Sequence, residues 1–186
     1  EEIQSVEVIK AEILQNNNVT DGIQAVSLLS GVTVLDGQMS IRGGSGYAYG
    51  VGSRVILVQD GVPSLTPERD EINWDFIPTE NIEQIELLKG GGGVQYGSSA
   101  LNGVLSVRSA WAKNKDKPET EVTLYTDIVG NPKVKEANWW KDESTYFQTP
   151  HTLGATFVHR RKMKKNFDFV ISGIGHTFQS HLKEEF

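Results

Sequence analysis

Four consecutive glycines, Gly90 to Gly93, interrupt the chain at the end of an alternating segment and constrain this sequence more than any other feature. Upstream, Asn81 to Lys89 reads NIEQIELLK, acidic and aliphatic residues in the period-two pattern of a half-buried strand. Downstream come a Tyr96-Gly97 step, Ser98-Ser99-Ala100, an Asn102-Gly103 pair and a second alternating segment ending at Arg108. A run without Cβ atoms at a strand end permits positive φ and the close approach of another surface. Ser98 and Ser99 can cap a brief helical turn through Ala100 and Leu101, with Asn102-Gly103 as its left-handed stop. The expected order is strand, glycine loop, helical turn, strand, a βαβ-like unit in miniature.

Two nucleotide-binding patterns are close but incomplete. Gly92 to Ser99, GGVQYGSS, keeps the glycine spacing of a phosphate-binding P-loop, yet Ser98 stands where the lysine must be. Without that ammonium the β and γ phosphates lose their main cation, so a degenerate P-loop phosphohydrolase is the enzymatic alternative and not the preferred reading. Gly43 to Ser53, GGSGYAYGVGS, contains GxG steps, but the spacing after Gly44 and Gly46 is wrong for a dinucleotide fingerprint and no helix follows. The same loop carries Tyr47 and Tyr49, each with a wide apolar face and a polar tip. They are candidate ligand contacts, against the plainer reading of a solvated turn. Arg69 and Trp74, in the polar stretch from Ser64 to Trp74, are candidates too, against a surface ion pair and a half-buried core tryptophan. A soluble adhesion module using these aromatic loops is a further alternative.

Upstream, Ile3 to Ile9 alternates as a short edge strand, with Val6 and Val8 on one side, and a helical turn or two fits between Lys10 and Asn18. Thr20 or Asp21 can cap the next helix, whose Ile23, Val26 and Leu29 form a core face and which Gly31 ends. Asp36-Gly37 and Asp60-Gly61 are hairpin signals, the first between Val32 to Leu35 and Gln38 to Arg42, the second after the continuously apolar RVILVQ of Arg54 to Gln59. Glu83 and Glu86, three apart in a strand, face oppositely and cannot share a substrate.

These motifs, taken in order from Val6 to Ser109, resemble the plug domain of TonB-dependent outer-membrane receptors. The family pattern IExIEVLrGp-x-x-x-x-YGxxAxxGVInI is matched at Ile82, Glu83, Ile85, Glu86, Leu88, Gly90, Tyr96, Gly97, Ala100, Gly103 and Val104. Departures are Lys89 for arginine, Gly91 for proline and Leu105-Ser106-Val107 for Ile-Asn-Ile. DGIQAVSLLSGVTVL resembles the family helix that ends in P-G-V, with Ser30 for the proline; MSIRGG resembles its S-I-R-G strand, and RVILVQDGVP its V-L-V-L-x-D-G-V-P hairpin.

The resemblance implies an α+β plug, a small mixed sheet with short helices, over residues 1–110. It places the loops of Tyr47, Tyr49, Arg69 and Trp74 at an extracellular apex facing ligand, and matches Arg42 and Lys89 to cations that face barrel carboxylates. Gly90, Gly91, Gly92, Gly93, Gly97 and Gly103 become a structural hinge between pieces that slip past one another. The implied function is energy-coupled uptake of a scarce nutrient, a siderophore, cobalamin or glycan, across the outer membrane of a Gram-negative bacterium. TonB is the implied partner, through a segment N-terminal to or near the start of this chain, with the plug facing the periplasm and lipid around the barrel. No cofactor is expected.

Composition agrees with a change of character after the plug. Residues 1–110 hold 6 Lys/Arg against 14 Asp/Glu, a charge of -8, whereas 111–186 hold 12 against 10, a charge of +2, which puts a boundary near Trp111. The overall charge of -6 argues against nonspecific nucleic-acid binding, and the absence of cysteine excludes disulfides and thiolate chemistry. Residues 111–119 read as a linker. Alternating segments then run from Glu121 to Val129, Thr152 to Arg161 and Asn166 to Gln179, with a long polar connection and a short basic one, RRKMKKN, from Arg160 to Asn166. Segments of about ten residues joined this way are the pattern of outer-membrane barrel strands. Residues 120–186 are thus expected to be the first three strands of an incomplete transmembrane β-barrel. The histidine spacings, His151 with His159 and His176 with His181, suit no metal site.

Overall fold

In the computed structural model, residues 5–43, 47–48, 52–64, 72–90, 96–97, 100–113, 117–128, 151–164 and 167–178 are described. The chain divides into two compact units, Glu1–Trp111 and Ala112–Phe186.

The first unit opens with β1 (Ser5–Lys10), α1 (Ala11–Asn16) and α2 (Gly22–Ser27). There follow β2 (Val32–Leu35), β3 (Gln38–Ile41), β4 (Tyr47–Ala48), β5 (Gly52–Ser53), β6 (Val55–Gln59) and β7 (Val62–Pro63). Two 3₁₀ turns, Trp74–Phe76 and Thr79–Asn81, lead into β8 (Ile82–Lys89), and β9 (Gly103–Ser109) closes the unit. Five strands form one mixed sheet in the order β1-β8-β9-β6-β7, with β1 at an edge. Both expected hairpins form around residues at positive φ, Asp36 with Gly37 and Asp60 with Gly61. Positive φ at both central residues is the backbone of a turn whose twist matches its strands.

The glycine segment is not a βαβ unit. β8 and β9 pair antiparallel, Lys89 opposite Gly103, and the parallel partner of β9 is β6. A crossover back to the start of an eight-residue strand needs a dozen or more residues with a real helix. Here the chain returns to the sheet beside the place where it left, and Gly90 N–H donates to the Asn102 carbonyl at 3.3 Å. The expected brief helical turn is a 3₁₀ turn at Ala100, whose N–H donates to the Gly97 carbonyl at 3.2 Å, and Asn102 then leads directly into β9, which Gly103 begins.

One face of the sheet, with Ile9, Ile85, Leu87, Leu105, Val55 and Leu57, packs against α1, α2 and the β2–β3 hairpin as the main core. Helix α2 departs from its expected face. Ile23 is exposed, while Gly22, Ala25 and Val26 are buried and Leu29 joins them from the following turn. Gly22 sets this rotation, because a Cβ there would lie 3.0 Å from Ile77 Cδ1 and from the Trp74 carbonyl. Asp21 caps the helix by accepting from Gln24 N–H at 2.8 Å. The helix ends at Ser27, so Gly31, at φ 70°, shapes the turn into β2 instead of terminating α2. The opposite sheet face holds a smaller cluster of Ile56, Val58, Ala100 and Val104, with Leu88 and Tyr96 against it.

The second unit is an antiparallel meander of β10 (Glu119–Ile128), β11 (His151–Lys164) and β12 (Phe167–Phe178). The expected basic connection is mostly strand: β11 runs through Lys164, leaving two residues before β12. Cross-strand carboxylates explain this, since Arg160 pairs with Glu121 at 3.5 Å and Lys162 with Asp168 at 3.5 Å. Opposite charges facing each other across a ladder stabilise it, so a basic run with such partners can stay extended.

Candidate functional site

Among the described residues of the first unit, the most connected polar site joins β1, β8 and the turn after α2. Lys89 Nζ donates to Glu7 Oε2 at 2.6 Å and to the Ser30 carbonyl at 2.7 Å. Glu7 Oε1 in turn accepts from Ser30 N–H at 2.8 Å and Ser30 Oγ at 2.9 Å. The Lys89 side chain is only 8% exposed. Its ammonium, hydrogen-bonded to Glu7 with the help of the Ser30 donors, holds the Glu7 carboxyl below its ordinary range. Sequence reading assigned Lys89 a barrel carboxylate and missed this internal one. The signal was present: Glu7 shares strand parity with the buried Ile9, and a carboxylate on a core-facing position calls for a cation.

A second staple fixes the other end of the sheet. Asp60 accepts from Ser109 N–H at 2.8 Å and from Ser109 Oγ at 2.7 Å, while Asp60 N–H donates to the Val107 carbonyl at 3.0 Å. The hairpin aspartate therefore also locks β9 alongside β6. Glu83 is exposed, and Glu86 pairs with Arg108 at 3.3 Å, so the two carboxylates share no site.

Trp74 is half-buried against the main core, and its indole N–H donates to the Gly37 carbonyl at 2.7 Å. That bond ties the 3₁₀ turn to the tip of the β2–β3 hairpin. Tyr47 lies in β4, paired with Ser53; Tyr49 and Arg69 fall outside the described residues. Arg42 sits at φ 53° with an exposed side chain.

Among the expected hinge glycines, Gly91, Gly92 and Gly93 lie outside the described residues, as does most of the P-loop-like run. Gly90 and Gly97 both have φ 82°, and nothing lies within 4 Å of where a Cβ would be. Their requirement is conformational, so the expected close approach is not at these two positions. It occurs at Gly103, where a Cβ would stand 2.5 Å from the Leu88 carbonyl oxygen and 2.8 Å from Ile41 Cδ1.

In the second unit the register sorts side chains onto two dissimilar faces. One carries Glu121, Thr123, Tyr125, Arg160, Lys162 and Asp168; the other carries Val122, Leu124, Ile128, Leu153, Phe157 and Ile171. The apolar face is the bare one, with Leu124 79% and Ile128 69% exposed, while Val158 on the polar face is 1% exposed. A sheet folded for water has the reverse arrangement, whereas one whose apolar face meets lipid has this one. Across this face-sorted sheet Tyr125 lies over Gly154, where any Cβ would collide with the ring. No helix among the described residues is long and apolar enough to cross a membrane, which leaves the question to strands. Among the described residues no group of three His, Asp or Glu side chains gathers as a metal site.

Residues 1–104 match the family model described as TonB-dependent Receptor Plug Domain. The chain belongs to the TonB-dependent receptors. Its first unit, the plug, and its second unit both contribute to likeness with known proteins. The chain is 29% identical over 140 residues to a vitamin B12 transporter BtuB of Vibrio vulnificus, covering 72% of this chain and 22% of that protein. It is 33% identical over 105 residues to a vitamin B12 transporter BtuB of Photobacterium profundum, covering 53% and 17%. Among solved structures, the siderophore receptor PirA from Pseudomonas aeruginosa gives a TM-score of 0.65 at 23% identity, covering 95% of this chain and 29% of that one. PirA from Acinetobacter baumannii gives 0.66 at 21%, covering 92% and 24%. At these identities the structural likeness speaks for fold. The chain spans about a fifth of the length of the curated relatives. These relatives are transporters and receptors by name, not enzymes.

Proposed function

We propose that this chain is the plug and the first three barrel strands of an outer-membrane transporter that takes up a scarce nutrient with energy delivered through TonB. The observation that carries this reading is the pairing of a plug-family unit with a sheet whose apolar face is its exposed face. Such a sheet is the beginning of a barrel wall, with Val122, Leu124 and Ile128 toward hydrocarbon and Glu121, Arg160 and Asp168 toward the lumen.

The nutrient is a large one that diffuses poorly through open pores, cobalamin or a ferric siderophore, the ligands in the names of the relatives. The family resemblance assigns its recognition to the apical loops of Tyr47, Tyr49 and Arg69. Trp74 enters as a brace for those loops, because its N–H is already bonded to Gly37. Arg42 stands exposed at a strand end, where a barrel carboxylate can meet it. Lys89 takes part at the plug's rim while anchored to Glu7. Gly90 and Gly97 belong to a joint that moves, and Gly103 is its fixed side.

The test is genetic. Deleting the full-length gene from its Gram-negative host and supplying cobalamin or ferric siderophores as sole sources should abolish growth on one of them. Complementation should fail in a strain lacking TonB. Normal growth of the deletion strain on every such source, or recovery of the protein only from soluble fractions, overturns the reading.

A further inference from the structure

The apolar face of the β10–β11–β12 sheet has a charge pattern that a barrel wall does not by itself require. Every carboxylate in the described part of these strands, Glu119, Glu121, Asp127 and Asp168, stands on the opposite face. Two of the basic residues there, Arg160 and Lys162, have carboxylate partners at 3.5 Å. Up to the register shift between Lys162 and Lys164, the apolar face holds one fixed charge among the described residues, Arg161, exposed and directly opposite Phe169. Among the described residues of these strands no carboxylate lies on its own face.

The position of Arg161 along the strand matters as much as its isolation. His151 and Arg161 bracket the apolar stretch of β11, ten residues apart on the same face. Ten residues of strand span about 33 Å, and at the roughly 40° tilt of barrel strands this is about 25 Å of height, the thickness of an outer-membrane apolar band. Just inside Arg161 the face turns polar and aromatic, with His159 Nδ1 2.8 Å from Thr120 Oγ1 and its ring 5.8 Å from that of Phe169. The guanidinium therefore stands where hydrocarbon gives way to headgroups, and a long arginine stem reaches that plane with its charge outward. A guanidinium takes two oxygens of a phosphate at once.

We propose that Arg161 holds the phosphate of an anionic phospholipid at the β11–β12 end of the barrel wall, fixing how deep these strands sit. The anion that the protein withholds from this face is supplied by the membrane. The inference rests on the barrel reading above, and its test separates the two.

The full-length receptor containing this chain is reconstituted in nanodiscs of phosphatidylcholine doped with spin-labelled phosphatidylglycerol, and the motionally restricted lipid is counted. Wild type should retain phosphatidylglycerol over phosphatidylcholine, and Arg161→Gln should reduce that preference about fivefold, the effect expected of one cation at a membrane surface. Arg161→Lys should keep part of it, raised salt should weaken it, and Lys162→Gln, on the other face, should leave it unchanged. Should Arg161→Gln fail to insert, the partial loss in Arg161→Lys and the salt dependence decide. A receptor that inserts but whose lipid preference ignores Arg161 and salt overturns this inference alone. A wild-type receptor that enters no bilayer overturns the barrel reading with it.

Discussion

In the five-stranded sheet Leu57, Ile85 and Leu105 are sealed from water, whereas in the three-stranded sheet Val122, Leu124 and Ile128 stand bare. Apart from the continuously apolar β6, strands of both sheets carry period-two alternation, so the pattern alone does not say which face is covered. What differs is the surroundings each sheet brings with it. Helices α1 and α2 and the β2–β3 hairpin pack on the plug sheet, and the residues that reach them are apolar. The meander has no helix of its own among the described residues and places its carboxylates on the less exposed face. Hydrophobic burial drives the first sheet to fold in water, whereas the second leaves its apolar face bare, the face that the proposed barrel would turn to lipid.

The sharpest way to break this contrast is to truncate one leucine in each sheet. Leu57→Ala should cost the plug about 2–5 kcal/mol by leaving a cavity in its core, read as a fall in the urea midpoint. Leu124→Ala in the meander should leave the plug transition where it is. Charging the same exposed position tests the other half: Leu124→Arg should cost roughly 2–4 kcal/mol of folding into lipid vesicles if it lies near the bilayer midplane. A fall no greater than for an ordinary surface substitution would mean that water, not lipid, faces Leu124.

Glu7→Gln is the next largest effect expected, about 1–3 kcal/mol of plug stability, because it leaves the nearly buried Lys89 ammonium without its carboxylate. The accompanying pH dependence has a definite sign. Glu7 titrates below its ordinary value of 4.5 when folded, so its contribution is fully present above about 4.5 and fades as pH falls through the folded value. Acid titration of wild type and Glu7→Gln should show the two curves converging below that point. A constant gap down to the lowest pH would detach the stabilisation from this carboxyl.

The smallest effect separates brace from ligand contact. Trp74→Phe removes the bond to the Gly37 carbonyl and should cost about 1 kcal/mol of stability. Should nutrient affinity fall while stability stays unchanged, Trp74 would belong with Tyr47, Tyr49 and Arg69 as a ligand contact.

The plug was legible from sequence because its signals are local. Asp36-Gly37 and Asp60-Gly61 demand tight turns, the apolar run from Val55 to Val58 demands a buried strand, and Asp21 caps its helix. The three strands of the meander were legible for the same reason, apart from the end of β11, where Glu121 and Asp168 allow a basic run to stay extended. The candidate site was read less well. Lys89 was recognised as a cation at a strand end, but its partners Glu7 and Ser30 lie 82 and 59 residues away. Trp74 was weighed as a ligand contact against a half-buried core tryptophan, and it is half-buried at a tertiary seam.

By itself, the sequence determined where strands, turns and caps fall, since alternation, Gly and Asp act through the backbone of their immediate neighbours. It also determined which residues of each strand share a face, because successive side chains point to opposite sides. Only tertiary structure decided that β9 runs antiparallel to β8 and parallel to β6. Only there did Gly103, and not Gly90, become the place where backbones press together, and only there did Glu7, Ser30 and Lys89 meet. These outcomes depend on contacts between residues remote in the chain, and such contacts are chosen by the packing of whole elements, not by any one segment's own preference.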